Sequence, residues 1–132
     1  MNNLQDFEIT IAPRFYETDA LGHINNASIA AWFEIVRMKF IDSLGGRESW
    51  QAVHWILASL QIDFIAETFF GTDVIARVTG AEAGNTSLTV LCEMYQGEKL
   101  TVKGRAVLVY LDLDSKQPAR VPDGLRRQLG DS

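Results

Sequence analysis

Ala27 to Leu44 reads ASIAAWFEIVRMKFIDSL, and its apolar spacing decides the fold. Ile29, Trp32, Phe33, Val36, Phe40 and Leu44 recur at three- and four-residue intervals, which places them on one face of a helix. Ile35, Met38 and Ile41 fall outside that stripe, so the helix is apolar over most of its surface. A helix of that kind is enclosed on several sides rather than laid on a surface. Asn25 or Asn26 supplies an N-cap, and Gly45-Gly46 supplies a C-terminal stop. The expected length is about 18 residues, or roughly 27 Å at 1.5 Å per residue.

Outward from this helix, everything else reads as strand or loop. Phe7 to Arg14 alternates Phe7, Ile9 and Ile11 against Glu8 and Thr10, the period of a half-buried strand, and Pro13 ends it. Tyr16 to Asn26 follows neither period and is a polar loop. After a second loop, Arg47 to Val53, four strands are expected. Leu57–Ile65 presents Leu60, Ile62 and Phe64 on one side and Gln61 and Asp63 on the other. Asp73–Ala83 follows the Gly71-Thr72 turn. Thr86–Gln96 turns Leu88, Val90, Cys92 and Met94 inward. Lys99–Leu113 projects Lys103 and Arg105 away from the face of Val102 and Ala106. The short glycine-bearing connections at Gly84-Asn85 and Gly97-Glu98 predict an antiparallel meander of the last three strands. Pro122 to Arg126 starts a short terminal helix. The reading is α+β: a five-stranded antiparallel sheet that can cover its apolar face only by wrapping the one long helix.

The 132 residues suit a single domain, 1–132. At 47% apolar and 22% charged, the chain can bury a core. A net charge of −5 argues against nucleic acid, whose phosphates demand a Lys/Arg footprint. One cysteine, Cys92, excludes an intrachain disulfide. Two histidines and that cysteine lack metal-ligand spacing, so neither a metal nor another cofactor is expected. The N-terminus has neither the basic start nor the apolar run of a signal peptide. No stretch reaches the roughly 20 apolar residues needed to span a bilayer. A cytoplasmic protein is expected.

The loop before the helix is the segment that can carry chemistry. Glu17, Asp19, His23, Asn25 and Asn26 lie within ten residues and lead into a helix N-terminus. Unpaired N–H groups and the helix dipole there favour negative charge and would stabilise an oxyanion. A carboxylate beside it could attack a carbonyl or activate water. On the residues alone, however, the favoured reading is that Asp19 is a turn residue and Asn25 and Asn26 are only caps. The loop by itself names no reaction.

Arg14 to Asn26 (RFYETDALGHINN), followed by Ala31-Trp32-Phe33-Glu34, resembles the 4-hydroxybenzoyl-CoA thioesterase family of hotdog proteins. It is closest in style to acyl-CoA thioesterases with an aspartate, two residues, then Gly-His-x-Asn-Asn. Gln61 to Ile65, Phe70 to Asp73 and Val121-Pro122-Asp123 extend the likeness over about residues 7 to 126. The resemblance implies a hotdog fold and an acyl-CoA thioesterase with Asp19 as catalytic carboxylate. It implies that the Asn26 N–H faces the thioester carbonyl, and that His23 and Asn25 lie on the substrate side. It implies a homodimer, or a homotetramer, with acyl tunnels between subunits. Alternatives are hydrolysis of acyl-carrier-protein thioesters and non-catalytic acyl binding. His23 is either a substrate hydrogen bonder or a loop brace. Glu34 and Arg37 read as a local ion pair, His54 as structural and Cys92 as core. The turn Ala83 to Thr86 lacks the basic residues with which some relatives hold CoA phosphates, leaving Arg77, Lys103 and Arg105 as substitutes.

Overall fold

In the computed structural model, which describes residues 7–44 and 54–129, the strand pattern resolves into one sheet. The elements are β1 (Glu8–Ile11), a 3-10 turn (Phe15–Glu17), α1 (Asn26–Ser43), β2 (Trp55–Phe64), β3 (Val74–Ala83), β4 (Ser87–Gln96), β5 (Lys99–Tyr110) and α2 (Asp123–Gln128). The sheet order is β1-β3-β4-β5-β2, with every pairing antiparallel. The predicted meander of β3, β4 and β5 is present. The expected helix has the predicted 18 residues, starting at Asn26. The predicted glycine stop and the loop from Arg47 to Val53 lie outside the described residues.

This order puts β1 and β2 at opposite edges, although they flank α1 in sequence. The sheet therefore curls around the helix, as the hotdog reading expected. Leu88, Val90, Cys92 and Met94 of β4 are buried, as are Ile29, Trp32, Phe33, Val36, Phe40 and Ile41 of α1. Gly104 of β5 is what lets the helix approach. A Cβ there would stand 2.9 Å from the ring of Phe33, inside van der Waals contact.

Three strand boundaries differ from the sequence reading by two residues or more. β1 stops at Ile11 rather than Arg14, ahead of Pro13, which has no N–H for the ladder. β2 begins at Trp55, whose ring packs edge-on against Tyr110. β5 ends at Tyr110 because Leu111 turns to bridge Pro118 and Asp112 opens a turn capped by Ser115 N–H.

Arg37 is a larger departure. The expected ion pair with Glu34 is not formed, and Arg37 is turned inward and only 4% exposed. Edge strand β2, by contrast, leaves Ile56, Leu57, Leu60 and Phe64 exposed.

Candidate active site

The loop from Thr18 to Ile24 is closed at its base by a bridge between those two residues. Asp19 N–H donates to the His23 carbonyl at 2.7 Å, and Gly22 N–H donates to the Asp19 carbonyl at 3.3 Å. Gly22 sits at φ +82°, which a residue with a Cβ rarely adopts. The Asp19 side chain completes the turn: Oδ1 accepts from Leu21 N–H at 2.8 Å and His23 N–H at 3.1 Å. The Leu21 bond is the main reason its carboxyl titrates below the ordinary 3.8. Asp19 is thus an exposed, ionised carboxylate at neutral pH. Among the described residues, Oδ2 takes no hydrogen bond.

Asn25 builds the helix start. Its Oδ1 accepts from Ser28 N–H at 2.8 Å, and its Nδ2 donates to the Glu17 carbonyl at 2.9 Å. The N–H groups of Asn26 and Ala27 are without acceptors among the described residues, as at any first turn. Asn26 lines a depression of about 390 Å³, with Ile24 and Ile29 on the same side and 64–68 on the other. Asp19 does not line it. It stands on the turn whose base, Ile24, forms one wall.

His23 faces Glu67, with Nδ1 to Oε1 at 3.1 Å, and its ring meets Phe69 edge-on. It therefore joins the Asp19 loop to the segment forming the opposite wall. His54 stacks on Tyr110, consistent with a structural role. Cys92 is buried, and burial pushes its thiol up to about 12.

Glu17 stands in the loop motif, but the sequence gives it no role. It is buried and accepts from Trp32 Nε1 at 2.9 Å and from Arg14 N–H at 2.8 Å. A tryptophan on the core face of a helix needs an acceptor for its indole N–H, and that requirement is a usable signal. The positive charge near the β3–β4 turn is also invisible in the sequence. The tail folds back so that Arg126 NH1 donates to the Gly84 carbonyl at 2.6 Å and Arg120 NH1 to Asn85 Oδ1 at 3.2 Å. Arg77 instead pairs with Glu8 and lies over Tyr95. Lys103 and Arg105 line a depression of about 290 Å³ with Gln61, Asp63 and Glu93, on the sheet face away from α1. Among the described residues, no group of three or more His, Cys, Asp or Glu side chains is placed to hold a metal ion. No described helix is long and apolar enough to cross a membrane.

The sequence profile of the Thioesterase-like superfamily matches residues 13–129. The chain belongs to that superfamily. Among solved structures, this thioesterase-like chain is similar to a predicted thioesterase from Bacillus stearothermophilus. The two share 34% identity over 94% of this chain and 93% of the other, with a TM-score of 0.84. It is also similar to a Thermus thermophilus thioesterase whose crystal structure holds coenzyme A and zinc, at 25% identity, 92% and 90% coverage and a TM-score of 0.82. The uncharacterized protein YsmA of Bacillus subtilis (strain 168) is 29% identical over 107 residues, 80% of this chain and 72% of YsmA.

Proposed function

We propose that this thioesterase-like protein hydrolyses acyl-CoA to the free acid and CoA, in the manner of the 4-hydroxybenzoyl-CoA thioesterase family. The observation that carries the reading is the N–H of Asn26, unpartnered among the described residues, on a residue that lines a depression beside the Asp19 turn. The coenzyme A held by the similar Thermus protein supports the choice of carrier.

In this reading, the thioester carbonyl lies in the depression and its oxygen accepts from the Asn26 N–H. Charge that develops on that oxygen is met by the helix N-terminus. The Asp19 carboxylate acts in one of two ways. As nucleophile, Oδ2 forms a bond to the carbonyl carbon, the C–S bond breaks, and water hydrolyses the resulting anhydride. As general base, it takes a proton from a water whose oxygen bonds to that carbon; the C–S bond then breaks, and the proton passes to the departing thiolate. The leaving group needs little help, because a thiol like that of free cysteine has a pKa of about 8.5. A Ser-His-Asp triad is unnecessary. Asn25 positions the helix start, and His23 holds the two walls together.

The reading includes a dimer. Antiparallel pairing of two β2 edges would bury Leu60 and Phe64. It would also bring one copy's β3–β4 turn, with Arg120 and Arg126, towards the other copy's helix start. Those arginines would then meet the CoA phosphates. The test is thiol release from a panel of aliphatic and aromatic acyl-CoAs, beside pantetheine thioesters that lack the nucleotide. Turnover of the CoA esters, with KM rising with salt only for them, is the expected result. No turnover of any thioester would overturn the reading.

A further inference from the structure

Arg37 is buried, yet its Nε and NH1 have no hydrogen-bond partner. No carboxylate lies within ion-pair distance of it among the described residues. Glu34, one turn back on α1, is exposed, and the Cys92 thiol beside it is neutral at pH 7. Its cavity is walled by Phe33, Leu60, Val90, Cys92, Gly104, Arg105 and Ala106, and has room for about one water. Water there could satisfy an N–H group but would leave the charge uncompensated, since the one other charged residue on the wall, Arg105, is also a cation. The missing component is an anionic acceptor that the described residues do not supply.

The position of the cavity indicates where that acceptor comes from. Asn26 and Ile29 line the depression at the helix start, and Phe33 and Arg37 line the cavity, so one stripe of α1 serves both. On the other side, Phe64 lines the first and Leu60 the second. Eleven residues of helix rise separate Asn26 from Arg37 by about 16 Å, and four residues of strand separate Phe64 from Leu60 by about 13 Å. Both depressions therefore touch α1 and β2, with the helix N-terminus at one and the unpartnered Nε and NH1 of Arg37 at the other.

We propose that Arg37 is a specificity residue that binds a terminal carboxylate on the acyl group, so that the protein selects long acyl chains ending in an acid over chains ending in methyl. The inference rests on the acyl-CoA reading for the placement of the thioester at Asn26. A site built to hydrogen-bond a charged group discriminates strongly against a ligand that lacks it.

The experiment measures kcat/KM for matched pairs of ω-carboxyl and methyl-terminated acyl-CoAs over a length series, with the wild type, Arg37→Met and Arg37→Lys. Calorimetry of the matched free diacids and monoacids runs beside it. For chains long enough to reach from Asn26 to Arg37, the wild type should prefer the ω-carboxyl ester by about 10- to 100-fold. Short chains should show no preference. Arg37→Met should bring the long-chain ratio to about one, and Arg37→Lys should retain part of it. The ratio is taken on one preparation, so it does not depend on the folded fraction. A wild-type ratio near one at every length overturns the proposal, whichever variants fold, as does an unchanged ratio in Arg37→Met. If no thioester is hydrolysed but the wild type binds diacids over monoacids and Arg37→Met does not, the subsite stands and the hydrolase reading falls. If neither turnover nor diacid preference is seen, both fall.

Discussion

Trp32 Nε1 donates to Glu17 Oε2 at 2.9 Å, which ties the buried face of α1 to the loop that carries Asp19. The other Glu17 oxygen holds Arg14 N–H, and the Glu17 backbone carbonyl accepts from both the N–H and the side chain of Asn25. One buried residue therefore fixes the loop and the helix start together.

Replacing Glu17 with Ala leaves the indole N–H of Trp32 buried without an acceptor. That should cost about 1–3 kcal/mol of stability and lower activity by loosening the loop. Urea unfolding and turnover measured on the same preparations check this. Full retention of both would show that the tie is not needed.

Gly104→Ala places a methyl 2.9 Å from the Phe33 ring, which is 2% exposed and has little room to yield. Overpacking of this kind costs about 1–3 kcal/mol. Phe33→Leu in the same chain should recover part of the loss, because it removes the ring that the methyl meets. A double-mutant cycle by thermal unfolding measures the coupling, and additive effects would contradict the contact.

The fold was legible because its signals are local and redundant. The i, i+3, i+4 run from Ile29 to Leu44 and the alternation from Leu88 to Met94 each have one structural solution. Asp19 was legible only as part of a motif, since composition alone makes it a turn residue, and it does form a turn. Arg37 was not legible. Its i+3 spacing from Glu34 is that of a surface pair, and only the packing of α1 against β4 and β5 turns it inward. The arginines at the β3–β4 turn were hidden for the same reason: Arg120 and Asn85 are far apart in sequence, and only the folded tail joins them.

Strand β2 leaves Leu57, Leu60 and Phe64 exposed on an unpaired edge, a template for pairing with a second chain. Light scattering at micromolar concentration should give a multiple of 14.7 kDa. A lysine at Leu60 should weaken the assembly. A monomer mass for the wild type would contradict edge pairing and the interface it builds.

The Leu21 N–H bond holds the Asp19 carboxyl below its ordinary 3.8, so its charge persists as pH falls through the usual carboxylate range. A group whose folded pKa is depressed contributes stability above its unfolded pKa and loses it as pH falls through the folded one. Activity that needs this carboxylate ionised should follow the same sign. With a pantetheine thioester, kcat/KM should stay level from neutral pH down to about 4.5 while the protein remains folded. An acid limb near pH 6 would mean that some other group is the base.

Asp19→Asn keeps the Oδ1 that accepts from Leu21 and His23 while removing the charge, which separates chemistry from structure. Thiol release from the best acyl-CoA, followed for the wild type and this variant at matched stability, is the direct test of the central claim. The account predicts a loss of at least about 100-fold in kcat, with the variant still folding cooperatively and its unfolding midpoint lowered only slightly by the lost charge. Wild-type turnover by a folded Asp19→Asn protein would contradict it.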